Sequence, residues 1–223
     1  MLIPLRDHNP RSRFPLVTVL IVIVNVLVYL WTLLLPPEAS AHLIRAAGAI
    51  PREIMSFRDF GAVALVPVPF TIVTSLFLQV NILHLLGNLW FLWIFGDNVE
   101  DRLGRLRFLV FYLVTGSVGA VAQCLMMPAS SAPMFGASGA IAGLLGGYIL
   151  LFPHARVLAL LLVYPIDVPA WVFLGVWFLL QFFFSAQSGI AWMAHVGGFL
   201  AGIGLVRIFA PHRAPIVVGS DSY

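Results

Sequence analysis

The chain has no lysine, one cysteine and few charges of either sign among its 223 residues. A single thiol, Cys124, excludes an intramolecular disulfide. Charged residues make up 9% of the chain, whereas 61% are hydrophobic and the mean hydropathy is +1.02. A soluble domain of this size could not bury so much apolar surface. We therefore predict a membrane protein that crosses the bilayer several times.

Basic clusters are also absent. The net charge is +3, and all 12 basic residues are arginines that are scattered along the chain. A nucleic-acid partner is therefore not expected, and the bilayer is the expected surroundings. No Asp or Glu falls in the apolar segments near a histidine, and Asp167 lies in a connection between them. We expect no metal site.

The apolar runs predict an all-α fold of six membrane-spanning helices with a long external first loop. The predicted spans are residues 14–35, 80–95, 108–127, 138–152, 170–184 and 191–209. The first run is longer than the core of a signal peptide and no cleavage site follows, so we interpret it as a retained span. The predicted domain is residues 14–210, between cytoplasmic tails at 1–13 and 211–223.

The connections between the spans differ in character. Residues 36–79 carry charges and several prolines, which predicts broken amphipathic helices at the membrane interface. Residues 96–107 are predicted to form a polar turn. Residues 157–163 are apolar, but Pro165 and Pro169 interrupt any helix there, so we expect an interfacial connection.

The arginines predict the orientation of the spans. With the N-terminus in the cytoplasm, nine arginines fall on the cytoplasmic side and the short external turns carry no charge, as the positive-inside rule requires. These nine are Arg6, Arg11, Arg13, Arg102, Arg105, Arg107, Arg156, Arg207 and Arg213. We predict a cell membrane protein, of the inner membrane in a Gram-negative bacterium, with both ends cytoplasmic.

Ser138 opens the fourth predicted helix within the sequence Gly136-Ala137-Ser138-Gly139. Serines in membrane helices commonly serve packing. This helix is short, however, so its start should lie below the external surface. His84 and His195 lie roughly 6–8 Å below that surface, counted along their helices. Three spans thus bring a serine and two histidines to one depth, which packing alone does not require.

Such a group predicts nucleophilic chemistry. A serine hydroxyl needs an adjacent base to take its proton, and His195 is the candidate. Small residues at Gly139 and Ala142, facing Gly198 and Gly202, should let the two helices approach closely. His84, Asn88 and the backbone N–H of Ser138 would then bind an oxyanion. No acid accompanies the histidine, so we predict a dyad.

The same residues also have other interpretations. His84 could be an interfacial histidine, Asn88 could bridge two helices, and His195 could bind a backbone carbonyl. The α/β-hydrolase elbow, G-x-S-x-G, fails because Ala140 occupies its last position and the context is a membrane helix.

Three motifs resemble the rhomboid intramembrane serine proteases. The first is Gly136-Ala137-Ser138-Gly139. The second is HLLGNLWFLWIFGDNVEDRLG, which contains His84 and Asn88, and the third is AHVGGFLAG, which contains His195. The resemblance implies Ser138 as nucleophile and His195 as general base, with His84, Asn88 and the Ser138 N–H on the oxyanion. It also implies cleavage of single-span membrane protein substrates without a cofactor, and it makes residues 100–104 similar to a structural loop of the family.

Two positions depart from the family pattern. Gln79 stands where a histidine is often found, and Ala142 stands where an aromatic ring packs against the catalytic histidine in some bacterial members. These changes bear on water delivery and on the stiffness of His195. Residues 67–79, residues 185–192 and the fifth predicted helix are the expected gate for substrate.

The sequence leaves two alternatives from other functional classes. An inactive rhomboid-like protein would bind membrane clients without cutting them, but such relatives usually lack the serine or the histidine. A small transporter would favour inverted repeats and broken helices in matching halves, and the sequence shows neither.

Overall fold

Each of the six apolar segments predicted to span the membrane contains a helix. These helices belong to a computed structural model that describes residues 2–61, 65–184 and 191–210. In chain order the helices are α1 (Leu16–Leu34), α2 (Pro37–Ala47), α3 (Pro51–Ser56), α4 (Thr71–Thr74), α5 (Ile82–Leu103), α6 (Arg105–Met126), α7 (Ser138–Leu151), α8 (Ala170–Phe184) and α9 (Trp192–Phe209). The helices on the six predicted spans are α1, α5, α6, α7, α8 and α9. The strands are β1 (Leu2–Asp7), β2 (Arg156–Leu161) and β3 (Tyr164–Pro169).

The helices confirm a mostly helical membrane protein. Three of them, α1, α6 and α9, are each long and apolar enough to cross a bilayer. Helix α5 qualifies together with the segment Val68–Phe77 before it, across a bend of 83°. Helices α7 and α8 are apolar but shorter. In the part of the chain that the structure describes, three or four helices thus meet the criterion for a span by length and composition.

Helix α7 forms the centre of the molecule. Every residue from Gly139 to Tyr148 is buried, and the helix packs against α5, α6, α8 and α9. Its sequence, SGAIAGLLGGYILL, alternates small and large apolar residues, which allows neighbouring helices to lie close on several sides. The principal hydrophobic cluster is built around it.

The segment between α1 and α5 is helical but broken, as the prolines predict. Helices α2, α3 and α4 are joined by short connections and flanked by 3-10 turns at Val68–Phe70 and Ser75–Phe77. An isolated pair of backbone bonds links Ala49 to Met134, so this segment is attached to the chain just before α7.

The predicted polar turn at residues 96–107 was wrong. Helix α5 continues to Leu103, α6 begins at Arg105, and Gly104 alone lies between them with a φ of +83°. The polar residues at the end of α5 find partners in the N-terminal segment instead of solvent. Arg11 binds Asp97 at 3.1 Å, and the backbone N–H and hydroxyl of Ser12 donate to Asp101.

A three-stranded antiparallel sheet in the order β1-β2-β3 was not predicted. It takes residues 157–163, which we expected to form an interfacial connection, and residues 2–7, which we expected to be a tail. The prolines of this region, Pro4, Pro165 and Pro169, lie on the two edge strands, where a missing N–H is tolerated. They therefore exclude a helix without excluding a strand.

Candidate active site

Ser138 is the first residue of α7, and the backbone before it is unusual. Gly136 has a φ of +121°, and a Cβ added there would lie 2.7 Å from Cε1 of His84. Its N–H donates to the carbonyl of Ser75 at 2.9 Å. Gly136 is therefore required both by its backbone conformation and by the close approach of the His84 ring. It turns the chain so that Ser138 begins the helix.

Ser138 and His195 are in direct contact. The Nε2 atom of His195 lies 2.8 Å from the Oγ atom of Ser138. Both side chains are half-buried. The distance suits a hydrogen bond between a nucleophile and its base.

Glycines bring α7 and α9 together near this pair. A Cβ on Gly198 would overlap the carbonyl oxygen of Gly139, and one on Gly202 would overlap that of Gly143. The close approach expected at Gly198 and Gly202 is thus present. A Cβ on Gly139 would make only an ordinary contact, 3.5 Å from the Ala194 oxygen. Ala142 is fully buried.

His84 and Asn88 lie one turn apart on α5 and face the same cavity as Ser138 and His195. This cavity has a volume of about 1000 Å³. Helix α5 begins next to His84 because the side chain of Asn81 accepts a hydrogen bond from the His84 backbone N–H at 2.7 Å. The cap places the His84 ring against Gly136. The four side chains selected from the sequence are thus brought to one cavity.

Asn88 is held by a chain of amide side chains that sequence reasoning did not assign. Its Nδ2 donates to Oε1 of Gln79 at 3.1 Å, and Nε2 of Gln79 donates to Oδ1 of Asn25 at 3.1 Å. Asn25 in turn donates to the carbonyl of Ile21. Gln79 is 1% exposed. Gln79, the departure from the family pattern, therefore orients Asn88.

Helix α8 supplies two further neighbours of His195. The Oε1 atom of Gln181 lies 2.8 Å from Nδ1 of His195, and the Trp177 ring lies with its centroid 6.3 Å from the imidazole centroid. Neither residue was selected from the sequence. The available signal was chemical: Gln181 is the single amide in an otherwise apolar helix, and polar groups in such helices need a partner.

The described residues offer no group of three His, Cys, Asp or Glu side chains that could hold a metal ion. The polar groups at the cavity include the hydroxyls of Ser130 and Ser138, two imidazoles and several amides. Such groups can take a proton from a hydroxyl and donate hydrogen bonds to a developing negative charge. Of the expected gate, residues 67–79 are described and flank α5, whereas residues 185–190 lie outside the described residues.

Comparison with known proteins points to one family. The family model of the Rhomboid domain matches residues 68–212. The chain is 33% identical over 143 residues to rhomboid protein 1, mitochondrial, of Saccharomyces cerevisiae, an alignment that covers 60% of this chain and 40% of that protein. It is 36% identical over 141 residues to rhomboid-like protease 3 of Toxoplasma gondii, covering 60% of this chain and 49% of that protein.

A bacterial relative matches over a shorter region. The rhomboid protease GluP of Bacillus subtilis is 41% identical over 78 residues, which cover 35% of this chain and 15% of that protein. In all three comparisons the matched part of this chain spans less than half the length of the relative.

Proposed function

Because this chain belongs to the rhomboid family, which includes serine intramembrane proteases, we propose that it is an intramembrane serine endopeptidase. The observation that supports this most directly is the 2.8 Å separation of Ser138 Oγ and His195 Nε2 at the wall of a cavity. The proposed substrates are single-span membrane proteins, cleaved without a cofactor.

The proposed reaction begins with proton transfer. Nε2 of His195 takes the hydroxyl proton of Ser138 while Oγ attacks the carbonyl carbon of the scissile peptide. The imidazolium then gives this proton to the departing amine, which leaves an acyl ester on Ser138. A water molecule, deprotonated by the same nitrogen, hydrolyses the ester and restores the hydroxyl.

The negative charge on the carbonyl oxygen requires donors in both steps. His84 and Asn88 line the cavity with Ser138. As the first residue of α7, Ser138 has a backbone N–H with no partner one turn earlier in the helix. The positive end of the helix dipole lies at the same place. We propose that these three donors bind the oxyanion.

The proposed topology has six spans with both ends in the cytoplasm of a bacterial cell. Length and composition support α1, α6 and α9 as spans, and α5 together with Val68–Phe77 as a fourth. In the proposed topology α5 crosses the bilayer by itself, and α7 and α8 are the remaining two spans. The three arginines at the junction of α5 and α6 would face the cytoplasm, and the cavity would open to the external side, from which water reaches Ser138. Substrate would approach laterally, past α8.

The test is cleavage of a single-span substrate by the purified full chain in detergent, comparing the wild type with Ser138→Ala and His195→Ala. Both variants should lose at least about a thousandfold in rate, since nucleophile and base act as a unit. Ser117→Ala, whose hydroxyl donates to the Leu113 carbonyl of its own helix, is the matched serine control and should cleave normally. Cleavage that persists in both variants would refute the dyad.

A second measurement separates a protease from a protein that only binds clients. A fluorophosphonate probe should label Ser138 in the wild type and leave Ser138→Ala unlabelled. A wild type that binds the substrate, but neither cleaves it nor takes the label, would establish the binding protein instead.

A further inference from the structure

Gln181 is placed in α8 where a polar side chain is costly. The helix is otherwise built of apolar and aromatic residues, in the sequence AWVFLGVWFLLQFFF. An amide in such a helix needs a hydrogen-bond partner or a cavity, since bare burial costs free energy. Gln181 is half-buried and reaches the cavity wall beside His195.

The hydrogen bonds of Gln181 determine which end of its amide faces the histidine. Its Nε2 lies 2.9 Å from the carbonyl oxygen of Trp177, one turn earlier in the helix. A carbonyl oxygen can only accept, so the NH2 group must be the end that points to it. The other end, Oε1, is the one that lies 2.8 Å from Nδ1 of His195.

The same reasoning determines the tautomer of His195. An amide oxygen can only accept, so the hydrogen of the neutral imidazole must be on Nδ1. The lone pair is then on Nε2, which faces Oγ of Ser138 at 2.8 Å. The Ser138 hydroxyl therefore donates to Nε2, as the first step of the proposed reaction requires. The opposite tautomer would leave Gln181 Oε1 facing a lone pair.

We propose that Gln181 is a positioning residue that holds His195 in the tautomer and ring orientation that accept the Ser138 proton. This inference rests on the proposed protease function and extends it. In serine protease triads a buried acid has this role toward the histidine. Here a neutral amide acts on the same nitrogen. The aromatic neighbour of the imidazole is the Trp177 ring of α8, because residue 142 is an alanine and has no ring.

The base is thereby controlled by a helix that carries neither Ser138 nor His195. Backbone contacts at Gly198 and Gly202 set the spacing of α7 and α9. Helix α8 contacts His195 through the side chains of Gln181 and Trp177. A displacement of α8 would release Nδ1 of His195, whereas the backbone contacts between α7 and α9 do not involve α8.

The experiment compares the wild type with Gln181→Leu, which keeps similar volume without an acceptor, and Gln181→Glu, which keeps an acceptor oxygen. Loss of this hydrogen bond should lower kcat about tenfold in Gln181→Leu with KM unchanged. Gln181→Glu should recover most of the rate. Leu179→Ala, at an exposed position of the same helix, is the control for a general loosening of α8 and should keep the wild-type kcat.

The tautomer is measured independently of activity by 15N NMR of His195 in detergent micelles. The wild type should show hydrogen on Nδ1, and Gln181→Leu should show a mixture of tautomers. Hydrogen on Nε2 in the wild type, or a kcat of Gln181→Leu within twofold of wild type, would overturn the proposal. A wild type that cleaves nothing would refute the protease function, while the NMR result would still decide whether Gln181 holds the tautomer.

Discussion

The two ends of α7 place polar side chains in opposite situations. At the first end, Ser138 faces a cavity of about 1000 Å³ and its hydroxyl bonds His195. At the far end, Tyr148 is fully buried and its hydroxyl donates to Oδ2 of Asp7 at 2.6 Å. The same oxygen of Asp7 accepts a hydrogen bond from Asn98 at 2.9 Å. The first end faces the large cavity, whereas at the far end, which we call the closed end, the polar side chains bond each other.

Glu100 shows how fully a carboxylate at the closed end is hydrogen-bonded within the fold. Its two carboxylate oxygens accept the backbone N–H groups of Val17 and Thr18 and the Thr18 hydroxyl, and the side chain is 3% exposed. A buried polar group with all its partners present stabilises the fold, whereas polar groups aimed into a cavity remain available to a substrate. Residue type alone does not distinguish the two ends; the carboxylates of the closed end are bonded within the fold, whereas the polar groups of the first end face a cavity.

The largest effect that tests this division comes from two asparagines of α5. Asn88 lies at the cavity and Asn98 lies at the closed end, bonded to Asp7. Asn88→Ala should lower kcat about a hundredfold, the usual cost of one oxyanion donor. Asn98→Ala should leave kcat unchanged and lower the free energy of unfolding by about 1–2 kcal/mol.

Cleavage kinetics and thermal unfolding in the same detergent measure both quantities. If Asn98→Ala reduces the rate of the folded protein as much as Asn88→Ala does, the two ends are not functionally separate.

A smaller loss of activity is expected from the packing that joins Ser138 to His195. In Gly198→Ala the new Cβ would overlap the carbonyl of Gly139, next to Ser138, and must push α7 and α9 apart. We expect a rate about tenfold lower and a loss of about 1–3 kcal/mol in stability from overpacking. The matched control is Gly204→Ala on the same helix, where an added Cβ meets nothing within 4 Å.

Equal rates for the two glycine variants would show that the backbone contact does not set the geometry of the dyad. Both variants must be measured with the same substrate and in the same detergent, so that only the position of the added methyl group differs.

Several of these features were predictable from the sequence. The apolar runs of the sequence predicted the positions of α1, α5, α6, α7, α8 and α9, since a bilayer requires continuous apolar segments. Counting residues along those helices placed Ser138, His84 and His195 at one depth, and the structure brings them to one cavity. Ser138 also starts its helix as expected.

Other features depend on partners that are distant in the chain. Strand β1 pairs with β2 across about 150 residues, and the apolar run at 157–163 hides the alternation of a strand. The polar sequence at the end of α5 predicts a turn because its partners are distant in the chain. Ser12 donates to Asp101, and Val17 and Thr18 donate to Glu100. Gln181 is one glutamine in an apolar segment, and no local pattern identifies His195 as its partner.

At the closed end, the carboxylate of Glu100 should contribute to stability and not to catalysis. Glu100→Gln replaces one acceptor oxygen with an NH2 group that cannot accept from Val17 or Thr18, so a buried N–H or hydroxyl loses its partner. We expect a loss of about 1–3 kcal/mol in the free energy of unfolding with kcat unchanged. The control is Glu38→Gln, at an exposed position of α2, which should change neither quantity.

The smallest expected effect is a pH dependence from Asp7. Burial, the largest cause, and the neighbouring Asp97 raise the pKa of the Asp7 carboxyl, the hydrogen bond from Tyr148 lowers it, and the net pKa is about 6. A folded-state pKa above the unfolded value of about 3.9 means that the folded protein binds this proton more tightly. The contribution of Asp7 to stability is therefore fully present below about pH 4 and is lost as the pH rises to about 6.

Asp7→Asn keeps an oxygen that can accept from Tyr148 but cannot ionise, so it should remove this loss. Since Asp7 is partly exposed, the difference between variant and wild type should change by only about 1–2 kcal/mol between pH 4 and pH 7. Unfolding in detergent across this range measures the difference, in which the titration of the other groups largely cancels. If the wild type instead gains stability relative to Asp7→Asn as the pH rises, the Asp7 carboxylate is stabilised by its partners, and the closed end is held by charge as well as by hydrogen bonds.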